Sequence, residues 1–74
     1  MILAERIKRI REVKNLTQEE VAFKLNISAS AYGQIERKAN TSSYSTLCKI
    51  ANVLEIPILF LLDVESSEFL KNKL

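Results

Sequence analysis

The sequence predicts an all-α fold: five short helices followed by a short helical extension at the C-terminus. Three observations predict it. Apolar residues recur at spacings of three and four along most of the chain, the period of a helix with one buried face. Helix-start signals stand at Thr17 and Ser28, each just before such a pattern. One glycine and one proline in 74 residues are too few for the turns of an all-β fold.

With 47% hydrophobic residues, this length allows one compact domain near the lower limit for a single unstapled core. Cys48 is the lone cysteine and there is no histidine, so neither an internal disulfide nor a mixed zinc site can form. No metal and no cofactor are expected. The N-terminus is interrupted by charges and does not read as a signal peptide. The longest apolar run, Ile56 to Leu62, falls far short of the ~20 residues needed to span a bilayer. The expected location is therefore the cytoplasm, with no membrane partner.

The first helix is expected from about Leu3 to Lys14, with Leu3, Ile7, Ile10 and Lys14 on one stripe and Val13 beside it. Asn15 can adopt the left-handed conformation that ends a helix. The second opens at "LTQEEV": Thr17 is an N-cap, Glu20 completes a capping box and Leu16 can staple to Val21. Val21, Ala22 and Leu25 face inward, and Asn26 ends the helix after two turns.

The third helix starts from Ser28 as N-cap, with Ile27 placed to staple to Tyr32. At ~100° per residue, Ala29, Ser30, Gly33, Gln34 and Arg37 share one outer face. Ala31, Tyr32, Ile35 and Ala39 share the core face, with Glu36 at the seam. A polar loop, "KANTSS", leads to a fourth helix with Leu47, Ile50, Ala51 and Leu54 at helical spacing. Pro57 suits the first turn of a fifth, "PILFLL", and "SSEFLKNKL" could add one or two turns.

Charge is unevenly spread. Residues 1–49 carry nine Lys/Arg against five Asp/Glu, or +4; residues 50–74 carry two against four, or −2. A basic front half suits a phosphate-binding surface, although solvated helix faces would give the same count. Arg6, Lys8, Arg9 and Lys14 read mainly as such a face. Glu19 and Glu20 are explained by the helix dipole and the cap, and Cys48 by packing. With no nucleophile–base pairing, an enzyme is not expected.

Two short helices joined by a tight turn, the second capped and bare on one side, form a helix-turn-helix. The stretch "LTQEEVAFKLNISASAYGQIER", followed by L-x-x-I-A-x-x-L, resembles the phage-repressor-like (Xre, Cro/C1-type) helix-turn-helix family over roughly Ile7 to Leu62. The resemblance implies a lambda-repressor-like DNA-binding domain over residues 1–63, with residues 64–74 as an extension. It implies that the third helix lies in the major groove of double-stranded DNA, offering Ala29, Ser30, Gly33, Gln34 and Arg37 to bases. Gln18, Ser28, Lys38, Asn40, Ser43 and Tyr44 would contact the DNA backbone. Arg11 and Glu36 would form a structural ion pair between the first and third helices.

Side-chain chemistry agrees with those roles. A glutamine amide such as that of Gln34 can pair bidentately with adenine, and the Arg37 fork with guanine or phosphate. Small Ala29, Ser30 and Gly33 would let the helix backbone come close to the bases. Where the family's turns usually hold glycine, this chain has Asn15, Asn26, Lys38 and Glu55; the last two predict an altered path out of the third and fourth helices.

Two further departures point to protein contacts. Phe23 stands where the family usually has a polar outward residue, and Leu59 and Phe60 stand at positions commonly acidic. A fifth helix apolar on nearly every side predicts a homodimer through Ile58, Leu59, Phe60 and Leu62, with Phe69 from the extension. The resulting reading is a dimeric transcriptional regulator binding an inverted repeat. The alternative is an antitoxin-like module in which Phe23 and the apolar C-terminal part bind another protein.

Overall fold

The computed structural model describes residues Leu3 to Leu62. It contains five α-helices, α1 (Leu3–Val13), α2 (Gln18–Leu25), α3 (Ala29–Arg37), α4 (Tyr44–Val53) and α5 (Ile58–Leu61), and no strand among the described residues. The extension, with Phe69, lies outside them.

Local chemistry sets most helix ends. The Thr17 hydroxyl accepts from Glu20 N–H at 3.0 Å while the Glu20 carboxylate accepts from Thr17 N–H at 2.8 Å, a complete capping box. Ser28 caps α3 by accepting from Ala31 N–H, and Ser43 caps α4 by accepting from Thr46 N–H. Asn15 and Asn26 take left-handed φ values of 60° and 63°, closing α1 and α2.

The core is one cluster. Ile7, Val21, Tyr32, Ile50, Leu54 and Leu61 are its largest fully buried side chains, with Ala22, Ala39, Leu47 and Ala51 filling between them. Each large aliphatic residue removed from water contributes about 1.5–3 kcal/mol. α2 packs chiefly on α3 and then α4, α1 on α3 and α5, and α4 on α5. Small Ala22, 1% exposed, lies in the core on the packed face of α2.

Three expectations need correction. Val13 is 76% exposed, because α1 turns Arg11 inward instead. The "KANTSS" loop contains a 3₁₀ turn, Ala39–Thr41, whose Ala39 is fully buried against the core. Glu55 adopts φ 58°, so it takes the glycine-like conformation itself and the path out of α4 is kept despite the missing glycine. Lys38, at φ −105°, does not, and there the altered path is seen: the chain passes directly into the 3₁₀ turn, as its missing glycine predicts.

Arg6 is also not a purely solvated side chain. Its guanidinium reaches across to α5, donating from Nε to Leu61 O at 2.9 Å and from Nη2 to Phe60 O at 2.6 Å. It lies over the Phe60 ring, 5.0 Å from the centroid.

Candidate nucleic-acid interface

The capped α2, the Asn26 turn and the capped α3 bring two helix N-termini and one exposed helix face onto connected surface. In the first turn of α2 the amides of Gln18 and Glu19 have no intrahelical acceptor, and neither do those of Ala29 and Ser30 in α3. Such ends attract anions, with a strength that Glu19 and Glu20 reduce at α2.

What holds α3 in place is a buried polar network. Glu36, 4% exposed, accepts from Arg11 Nε at 2.9 Å and Nη2 at 3.3 Å, from Tyr32 Oη at 2.8 Å and from Gln18 Nε2 at 3.2 Å. Arg11 uses its remaining terminal nitrogen, Nη1, on Leu16 O at 2.8 Å, tying α1 to the chain entering α2. One carboxylate thus joins residues of α1, α2 and α3. No buried side-chain polar atom among the described residues lacks a partner.

Electrostatics follow from the geometry. Burial pushes the Glu36 carboxyl up, but the hydrogen bonds from Arg11, Tyr32 and Gln18 outweigh it and hold the group below the usual carboxylate range. Arg11 is raised by its hydrogen bond to Glu36 against the opposing effect of burial. Tyr32 is raised well beyond the ordinary phenol range, first by burial and then by donating to Glu36. The network is charged and closed at neutral pH.

The outer face of α3 is rotated from the one expected. Ser30, Gln34 and Arg37 are exposed, Ala29 is half-buried and Gly33 is buried. Ala31, expected in the core, is exposed beside Gln34 and Lys38. Gly33 points toward α2, where the Gln18 amide covers it: a Cβ added there would meet Gln18 Oε1 at 3.5 Å, an ordinary contact. The close approach at Gly33 is therefore made by Gln18 of the chain itself, which removes Gly33 from the open face. The signal that could have placed Ala31 outward is the phase of Tyr32 and Glu36: with both inward, Ala31 falls at the far edge of the opposite arc.

Arg37 stands at the α1 side of this face. It lines a shallow cleft of about 160 Å³ with Ala4, Glu5, Lys8 and Glu36, and its guanidinium is 3.9 Å from the point a Gly33 Cβ would occupy. Lys38 and Asn40 are exposed after α3, followed by exposed Ser43 and Tyr44 at the start of α4. Gln18 is half-buried, with its Nε2 engaged by Glu36 and Ser28 exposed at the α3 cap. Ile58, Leu59, Phe60 and Leu62 sit apart from this surface, on the short helix that packs against α1 and α4. Ile58 and Leu62 pack against the core, whereas Leu59 is 69% and Phe60 49% exposed. On α2, Phe23 is 84% exposed.

Among the described residues no helix is long and apolar enough to cross a membrane. The helix-turn-helix family model matches residues 7–61. Among curated proteins, the chain is 37% identical over 67 residues to an uncharacterised HTH-type transcriptional regulator, YqaE, of Bacillus subtilis strain 168, covering 90% of this chain and 58% of that one. It is 41% identical over 58 residues to the immunity repressor protein of Bacillus phage phi105, covering 78% of this chain and 40% of the repressor. The chain thus spans between two-fifths and three-fifths of these relatives' lengths. No solved structure gives a significant match. With the family match running from Ile7 in α1 to Leu61 in α5, the chain belongs to the phage-repressor-like (Xre, Cro/C1-type) helix-turn-helix family.

Proposed function

We propose that this protein is a DNA-binding transcriptional regulator of repressor type, acting in the cytoplasm on an inverted repeat as a homodimer. The observation that carries the reading is α3 itself: an exposed face of Ser30, Gln34 and Arg37, held at a set angle by a fully paired buried network. A helix so fixed can enter the major groove as a rigid body, without ordering costs at the moment of binding.

In this reading Gln34 pairs with a base and Arg37 with a guanine or a phosphate, while Ser30 and half-buried Ala29 allow close approach. Gln18 and Ser28 at the two helix starts contact one stretch of backbone, and Lys38, Asn40, Ser43 and Tyr44 the other. With so few groups aimed at base edges, phosphate contacts and DNA shape contribute much of the affinity. Residues 1–63 form the binding domain and residues 64–74 an extension that adds Phe69 to the dimer contact. Exposed Leu59 and Phe60, flanked by Ile58 and Leu62, give α5 an apolar surface for a second copy. Two copies then place two α3 helices on half-sites about 34 Å apart.

Duplex binding followed by fluorescence anisotropy over a salt series tests the DNA reading. Affinity should fall steeply and linearly with log salt, as counterions are released from phosphates. Sedimentation tests the dimer: a species of 8.4 kDa at micromolar concentration would remove it. The exposed Phe23 favours a second reading, an antitoxin-like module that binds another protein. An affinity nearly indifferent to salt would favour that module.

A further inference from the structure

We infer that Ala31 is a specificity-determining residue of the reading face, its methyl group packing against the C5-methyl of a thymine beside the base pair that Gln34 contacts. The inference rests on the proposed DNA reading and names a further residue, and a further base, for that same face.

The phase of α3 puts Ala31 there. Tyr32, Gly33 and Glu36 are buried and Ala29 half-buried, and at ~100° per residue these four turn Gln34 and Lys38 toward solvent. Ala31, itself exposed, lies ~60° from Gln34 around the helix axis, while exposed Ser30 lies ~40° away on the other side. Ala31 therefore belongs to the outer face as Ser30 does, and among the described residues of α3 it is the one exposed apolar side chain. Its backbone is fixed by the cap, because Ala31 N–H donates to Ser28 Oγ at 3.0 Å. A methyl group has no rotamer to order, so the cap and the helix together determine where it points.

The chemistry of the side chain selects its partner. A methyl neither donates nor accepts a hydrogen bond, so it has nothing to offer a phosphate or the polar edges of the bases. The major groove carries one apolar group, the C5-methyl of thymine, and alanine is among the side chains that meet it. Gln34 supplies the amide that pairs with adenine, the partner of thymine, so the two side chains together fit an A·T pair or two adjoining ones. Ala29, half-buried toward the inner side of α3, and Gly33, covered by the Gln18 amide, leave this place to Ala31.

The test uses a duplex selected by the wild-type protein from a random library. Each thymine is replaced in turn by deoxyuridine, which lacks only the C5-methyl, and affinities are measured by fluorescence anisotropy for the wild type, Ala31→Gly and Ala31→Ser. The wild type should lose about fourfold at one thymine of each half-site, the worth of a methyl removed from water. That thymine should lie within one step of the base pair at which Gln34→Ala loses its preference. Ala31→Gly, which has no methyl, should bind the thymine and deoxyuridine duplexes equally. Ala31→Ser, which puts a hydroxyl against the methyl, should show a smaller loss than the wild type, and it serves should Ala31→Gly not fold. Each variant is compared with itself on the two duplexes, so a general change in folding or affinity cancels. A wild type indifferent to every replacement overturns the role of Ala31 and leaves the DNA reading standing, and so does an equal loss in both variants. A folded wild type that selects no duplex overturns the DNA reading and the role of Ala31 with it.

Discussion

The α2–α3 unit and α5 are both short and both carry exposed groups, but they are stabilised in opposite ways. α2 and α3 each have a side-chain cap, a left-handed asparagine joins them, and a shared carboxylate ties them to α1. α5 has one turn, no cap, one deeply buried leucine and a clasp from Arg6. The first arrangement specifies angle and register through directional hydrogen bonds. The second offers apolar area, seated on the core by Leu61, Ile58 and Leu62 and clasped by Arg6. A surface that pairs with base edges needs the former, because hydrogen bonds fail over a fraction of an ångström, whereas an apolar contact tolerates adjustment.

The comparison is broken most severely at Glu36. Replacing it with alanine leaves Arg11 buried without its partner and strips acceptors from Tyr32 and Gln18. The expected loss is about 3–5 kcal/mol in denaturant unfolding, a large share of what so small a domain possesses. A loss below about 1 kcal/mol would mean that packing, not the network, sets α3. The same carboxylate predicts a pH response. Its folded pKa lies below its ordinary value of 4.5, so its contribution is complete above that value and disappears as pH falls through the lower folded one. Urea unfolding at pH 3 to 7 should show stability dropping on the acid side, with a shallower drop in Glu36→Gln.

On the α5 side, Leu59→Ser should weaken the dimer at least tenfold, since a buried leucine is worth about 1.5–3 kcal/mol. It should leave monomer stability within about 0.5 kcal/mol, because Leu59 touches solvent in the monomer. Sedimentation and thermal melting separate the two effects. An equal fall in both would place Leu59 in the monomer's own core.

The smallest effect sharpens the picture of the reading helix. Gly33 lies mid-helix at negative φ, and a Cβ there would make only ordinary contact with Gln18. Gly33→Ala should therefore raise stability, by up to about 1 kcal/mol. A decrease would show that a methyl group at this position disturbs the Gln18–Glu36 hydrogen bond despite the ordinary contact distance.

What the sequence made legible follows the same division. Thr17, Glu20, Ser28 and Asn26 act on backbone within a few residues of themselves, so their roles could be read along the chain. Arg11 and Glu36 are 25 residues apart, and only the family resemblance suggested that they meet. Arg6 reaches residues more than 50 positions away, beyond any local pattern. The face of α3 differs from the expected one by part of a turn because small Ala31 and Gly33 carry almost no hydropathy signal. The tertiary partner, Gln18, decides which of them is covered.

Whether the fixed outer face of α3 reads DNA is decided by selecting bound duplexes from a random library, in parallel for the wild type and Gln34→Ala. A reading face on α3 should enrich a two-fold symmetric motif with the wild type, with preference lost at one symmetry-related position in the variant. Enrichment of nothing by folded wild-type protein would contradict it, and an unchanged motif in the variant would remove Gln34 from the reading face.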